Sequence, residues 1–242
     1  MKDLVQFVQG ELEKRADPEK AGPMAAYMKT RMPFYGVQKK GRDEIAQAFA
    51  DYHPNSLQDY EKVVLSLWSL PHREEKYLAI NFAIRKSDFI QPASLPLYEK
   101  LIREGAWWDF VDSIAISLVG VALRENRKLW KSMDRWIEDE DFWIRRTAIL
   151  FQARYRSDTD EDQLFDYCLR SAGEKEFFIR KAIGWALREY SYARPERVKG
   201  FLLENRELLS GLSYREGARK LIRDGLMKNP HPQRGAGPKP DP

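Results

Sequence analysis

Asp141-Phe142-Trp143-Ile144-Arg145-Arg146-Thr147 is followed, 35 residues later, by Glu176-Phe177-Phe178-Ile179-Arg180-Lys181-Ala182. Each segment opens on an acid, continues with two aromatics and an isoleucine, and then places a basic pair. Each is also followed by a tyrosine, Tyr155 or Tyr190. Trp107-Trp108 stands one more period upstream of Phe142-Trp143, and Arg73–Arg85 reads as an earlier, weaker copy. A period in this range marks helical pairs that cannot bury their apolar faces alone and stack on neighbours to share a core. The length falls between the tetratricopeptide and HEAT classes. The tetratricopeptide Gly/Tyr/Pro signature is absent, and the basic helix favours HEAT-like repeats, so the predicted fold class is all-α.

The rest of the chain agrees. Leu4, Phe7, Val8 and Leu12 have helical spacing, as do Val63, Leu67 and Leu70 within Asp59–Leu70. Pro18, Pro33, Pro54, Pro71, Pro92 and Pro195 punctuate such segments. No alternating run flanked by hairpin signals predicts a sheet. About a dozen helices are expected, in a single HEAT-like repeat domain over residues 1–228. From Asn229 to Pro242 the chain is dense in Pro and Gly and is expected to be a disordered tail.

Composition narrows the function classes. The chain has 242 residues, 43% of them hydrophobic, enough for one sizeable core. No apolar run approaches the roughly 18 residues that a membrane span needs, and the N-terminus lacks a signal-peptide apolar stretch. Cys168 is the only cysteine, which leaves no intrachain disulfide and no cysteine-based zinc site. His53, His72 and His231 are scattered, and no metal is expected. A cytoplasmic location fits these features best. The net charge of +4 is informative only if the basic residues gather on one surface. There is no Gly-rich phosphate loop, no G-x-S-x-G and no H-E-x-x-H.

Three segments can carry chemistry, and each has a bland alternative. In Trp107-Trp108-Asp109-Phe110-Val111-Asp112-Ser113, Trp108 and Asp112 share a helical face. An indole beside a carboxylate favours a cation; alternatively, both tryptophans are core and Asp112 is a solvated or capping acid. Arg145 and Arg146 recur as Arg180 and Lys181, with Arg154, Arg156, Arg188, Arg215, Arg219, Lys220 and Arg223 nearby in sequence. Such a strip suits a phosphate backbone; alternatively it is a charged helix face paired with Glu174, Glu176, Glu189 and Glu216. In Lys181-Ala182-Ile183-Gly184-Trp185-Ala186-Leu187-Arg188, a mid-helix glycine implies close approach of a backbone or a ligand. Trp185 reads equally as core or as a stacking surface.

Together these segments resemble the DNA alkylation repair family of HEAT-like-repeat alkylpurine DNA glycosylases, over roughly Asp17 to Arg223. The resemblance rests on Pro23-Met24-Ala25-Ala26-Tyr27-Met28-Lys29, on Leu67-Trp68 with Leu70-Pro71 and Arg73-Glu74, on Trp107–Ile114, on Trp143 with Arg146 and Ala148–Gln152, and on Glu176–Tyr190. The chain departs from the family pattern after Gly36-Val37, where Lys40 and Arg42 follow without the usual proline, and in the Pro/Gly tail.

The resemblance implies a solenoid with a concave basic DNA-binding face. It implies Asp112 as the catalytic aspartate, Trp108 and Trp185 as aromatic walls against the lesion nucleotide, Arg146 on the DNA backbone and Tyr27 in the same cleft. The basic strip adds Arg188, Lys181 and Arg154 as DNA contacts. The implied substrate is double-stranded DNA carrying N3- or N7-alkylated purines, attacked by a monomer without base flipping, cofactor or metal. Two other classes remain open on the residues alone: a non-catalytic repeat protein that binds branched or damaged DNA, and a protein-binding HEAT scaffold.

Overall fold

The computed structural model describes residues 2–228. Among them every regular element is helical and no strand occurs, as the periodicity predicts. The expected tail lies outside the described residues. The chain divides into two compact units, Met1–Phe151 and Gln152–Pro242.

The first unit begins with α1 (Lys2–Lys14), α2 (Pro18–Tyr27) and α3 (Lys39–Ala48). Leu4, Val8 and Leu12 form the buried stripe of α1, while Phe7, which shares their spacing, stands 38% exposed at its edge. Asp17 caps α2 by accepting from the Lys20 amide at 3.2 Å, and Pro18 occupies the first helical position, where its missing N–H costs nothing. Ser56 caps α4 (Leu57–Trp68) by accepting from the Asp59 amide at 3.1 Å. The buried positions of α4 are Tyr60, Val63, Val64, Leu67 and Trp68, and they pack on α5 (Arg73–Arg85).

Residues 33–37 are fastened to the start of α5. The buried Glu74 carboxylate accepts from the amides of Tyr35, Gly36 and Val37 at 3.1, 2.9 and 3.0 Å. Three convergent donors satisfy a carboxylate that burial would otherwise penalise heavily. Gly36 is obligatory here: its φ is +88°, and a Cβ would lie 2.0 Å from the Asp17 carbonyl oxygen. His72, in the bend before α5, stacks on Tyr35 with ring centroids 3.8 Å apart, and its amide donates to Glu75 at 2.7 Å.

α6 (Leu95–Gly105) stops at Ala106, which turns into the left-handed region at φ 38°. Then α7 (Trp108–Ile114) runs through a π-helical turn, Ala115–Val119, into α8 (Gly120–Arg124). Gly120 is where this run meets the end of α10 (Phe142–Leu150): a Cβ there would come within 2.3 Å of the Phe151 carbonyl oxygen. A short α9 (Lys131–Trp136) precedes α10.

The second unit holds α11 (Glu161–Arg170), α12 (Phe177–Tyr190), α13 (Pro195–Glu204) and α14 (Gly211–Arg223), with α12 packed closely on α14. The 35-residue period is a helix register. α10 and α12 each start on the first aromatic of their doublet, and each is capped by the preceding acid. Asp141 accepts from the Trp143 amide at 2.9 Å and Glu176 from the Phe178 amide at 3.2 Å. The weaker copy inferred at Arg73–Arg85 coincides with α5.

Candidate active site

Asp112 projects from α7 one turn after Trp108, and Arg146 projects from α10. The arginine grips the carboxylate side-on: Nε donates to Oδ1 at 2.7 Å and Nη2 to Oδ2 at 2.9 Å. The side chain of Arg146 is only 5% exposed and that of Asp112 16%. This two-point geometry fixes the carboxylate plane as well as its position, which a lysine could not do. Burial raises the carboxyl of Asp112 above its ordinary value; the hydrogen bond and charge of Arg146 oppose that rise, and the negative charge of Asp109 adds to it. Trp108, one turn before Asp112 on α7, is half-buried and does not belong to the fully enclosed core. Trp107 takes the structural role, packing on the buried Trp143 with ring centroids 6.1 Å apart.

A second ion pair braces α7. Arg73, 2% exposed, donates from Nη2 to Asp109 Oδ1 at 2.6 Å and from Nε to Oδ2 at 3.3 Å, and the Tyr77 hydroxyl donates to the same Oδ2. The Arg73 guanidinium lies over the Phe110 ring at 4.1 Å. Arg42 covers Tyr77 at 4.5 Å and donates to the Val37 carbonyl at 2.8 Å. Tyr77, Asp109, Ser113 and Arg42 line a cavity of about 200 Å³. Sequence reasoning missed this brace. Its signal is an acid and a base one repeat apart: Arg73 and Asp109 differ by 36 positions, and Asp112 and Arg146 by 34.

Tyr27, at the end of α2, is 77% exposed, a large ring presented to solvent. It makes no contribution to the core.

The second unit carries the remaining candidates. Lys181, Gly184, Trp185 and Arg188 follow one another along one face of α12. Gly184 is a point of helix contact: a Cβ would meet Glu216 Cβ at 2.4 Å and the Ser213 carbonyl oxygen at 2.8 Å. That approach brings the Glu216 carboxylate between Lys181 and Arg188, each at 3.0 Å. Against the cost of burial, Lys181 and Arg188 hold the Glu216 carboxyl below its ordinary value. These two cations are therefore paired with one of the glutamates named in the bland alternative, two positive charges against one negative. Trp185 is half-buried, and its indole N–H donates to Glu189 at 3.2 Å. Arg154 is exposed and has no ion pair among the described residues.

A family model described as DNA alkylation repair enzyme matches residues 8–221. The chain belongs to the DNA alkylation repair enzyme family. It is also similar to a solved structure described as a predicted DNA alkylation repair enzyme from Enterococcus faecalis, with a TM-score of 0.75 and 27% identity, over 86% of this chain and 97% of that one. No curated protein matches. Membership makes this protein a DNA repair enzyme directed at alkylation damage, with DNA as its substrate. All eight candidate residues, from Tyr27 to Arg188, lie inside the span matched by the alkylation repair family. No helix among the described residues is long and apolar enough to cross a membrane.

Proposed function

We propose that this alkylation repair enzyme is a monofunctional DNA glycosylase that hydrolyses the N-glycosidic bond of N3- and N7-alkylated purines in duplex DNA. The observation that carries the reading is the Asp112 carboxylate, largely buried, held on both oxygens by Arg146 and one helical turn from Trp108.

Alkylation at N3 or N7 makes the purine cationic, so it leaves as a neutral base and needs no strong general acid. Positive charge develops on the sugar as the bond breaks, as in glycoside hydrolysis generally. A carboxylate already fixed in place stabilises that charge without reorganising; preorganised groups of this kind commonly supply about 3–4 kcal/mol. The same carboxylate orients the attacking water. Indole faces attract the developing cation by roughly 0.5–2 kcal/mol each, the part given to Trp108 and, by the family resemblance, to Trp185. An unmodified purine is a far poorer leaving group and gains little from this equipment.

The Arg146 guanidinium orients Asp112 in this account, besides any contact with the DNA backbone. Tyr27, Arg154, Lys181 and Arg188 are assigned to the DNA, which is held on a basic concave face of a HEAT-like solenoid without flipping the base. The test is product analysis on a duplex containing 7-methylguanine. The reading expects free methylated base and an abasic strand that breaks only on later alkali treatment. Strand cleavage coupled to base loss, or removal of the alkyl group with the guanine left in place, contradicts it.

A further inference from the structure

Trp185 is held differently from the buried tryptophans. Trp68 packs on Phe110 with ring centroids 5.3 Å apart, and Trp130 packs on Phe151 at 5.8 Å. Among the described residues no aromatic ring or cation packs on the Trp185 indole. Its directional restraint is the indole N–H, which donates to Glu189 Oε1 at 3.2 Å, one turn further along α12. Lys181 and Arg188, the other charged residues three or four positions away, are already tied to Glu216.

The second oxygen of Glu189 is engaged as well. Oε2 lies 3.7 Å from Arg156 Nη1, and the same nitrogen donates to the Glu189 carbonyl at 3.5 Å. The Arg156 guanidinium rests on the Tyr192 ring, 5.0 Å from its centroid. The backbone of Arg156 is left-handed, with φ at 57°, which is uncommon for a residue that carries a side chain. Conformations of this kind persist where the surroundings over-determine them, and they gather at functional sites. The side chain of Arg156 is 51% exposed, and an ion pair so open to solvent adds little to stability. The run Tyr192, Arg156, Glu189, Trp185 lies wholly within the second unit, and it ends on an indole whose faces no other ring covers.

We propose that Glu189 is a positioning residue for excision: it fixes the plane of the Trp185 indole and enriches its face in electron density, while Arg156 holds Glu189 in place. An aromatic ring is negative on its face and positive at its edge, so its plane decides which of the two a developing cation meets. A carboxylate that accepts from the indole N–H polarises the ring in the direction that strengthens its pull on that cation. The inference rests on the glycosylase reading, which gives Trp185 to the charge forming on the sugar.

The rate test is single-turnover release of 7-methylguanine from a duplex by the full-length protein. Glu189→Ala should slow release by about tenfold through loss of orientation. Duplex affinity and the thermal midpoint should be nearly unchanged, because only an exposed ion pair is lost. Glu189→Gln should recover most of the rate, since its amide oxygen still accepts from the indole. Arg156→Ala should slow release less than Glu189→Ala does. In a Trp185→Phe background, Glu189→Ala should have no further effect, because no N–H remains for it to hold. A wild-type rate in Glu189→Ala, or an equal loss in the Trp185→Phe background, would overturn the inference.

A second signal needs no catalysis. It is the indole N–H resonance of Trp185, identified by its disappearance in Trp185→Phe. It should move upfield and exchange faster with solvent in Glu189→Ala, and stay near its wild-type place in Glu189→Gln. A resonance unmoved in Glu189→Ala would also overturn the inference. The expected movement, in a protein whose wild type releases no base, would overturn the glycosylase reading and leave the tether standing.

Discussion

Arg146 holds both oxygens of Asp112, at 2.7 Å through Nε and 2.9 Å through Nη2, and links α10 to α7 across one repeat. The pair is mostly withdrawn from water, so its two members depend on each other. That dependence yields consequences for stability as well as for activity.

Arg146→Ala leaves a largely buried carboxylate without its guanidinium. Breaking one side of such a pair costs about 3–5 kcal/mol. We expect chemical denaturation to show a loss of this order, with a smaller loss in Arg146→Lys, which keeps the charge but not the two-point geometry. A stability change under about 1 kcal/mol in Arg146→Ala, below the low end of that range, would show that the pair is not closed in solution.

The acid limb of the pH–rate profile should reflect Asp112. Burial raises its carboxyl, with Arg146 opposing and Asp109 reinforcing. The reactive anion is lost as pH falls through that raised value, so excision should decline at a pH above the ordinary aspartate value of about 3.9. The stability contribution runs the other way. An acid whose folded value is raised stabilises the fold most below the unfolded value, and that share is lost as pH rises through the folded value. Single-turnover rates across the acid range check the first point, and a limb in Arg146→Lys displaced toward lower pH would contradict the assignment.

Arg73 braces the same helix through Asp109 and Tyr77. Arg73→Ala should cost about 3–5 kcal/mol by orphaning Asp109, whereas Tyr77→Phe removes one hydrogen bond to a charged group and should cost about 1.5–3 kcal/mol. Thermal melts that rank Tyr77→Phe as the more damaging change would reverse the roles given to these residues.

One substitution should act with opposite signs at two glycines. Gly184→Ala drives a methyl group into Glu216 and the Ser213 carbonyl, an overpacking worth about 1–3 kcal/mol or more of destabilisation. Gly10→Ala, within α1 and with nothing inside 4 Å of the added carbon, should stabilise by up to about 1 kcal/mol through helix propensity alone. Denaturation midpoints that move in the same direction would contradict the packing described for α12 and α14.

Much of this was legible in the residues. The doublets at Phe142 and Phe177 locate the starts of α10 and α12, because an acid followed by an apolar run is a capping signal as well as a repeat mark. The shared face of Trp108 and Asp112 follows from a spacing of four. The partners of these residues were not legible. The spacing of Asp112 from Arg146 and of Asp109 from Arg73, about one repeat each, is the only mark they leave, and it does not select these pairs over other acids and bases one repeat apart, since ion pairs between helices depend on packing angles. Gly184 signalled a close approach, but only the packing of α14 shows that the neighbour is Glu216 and that it ties Lys181 to Arg188. The π turn after α7 left no mark in composition at all.

The most direct test of the central claim compares wild type with Asp112→Asn for release of 7-methylguanine from duplex DNA, with duplex affinity measured in parallel. We expect release by the wild type, loss of release in Asp112→Asn, and duplex affinity retained in both. Release by Asp112→Asn at the wild-type rate, or no release by either protein despite tight binding, would contradict it.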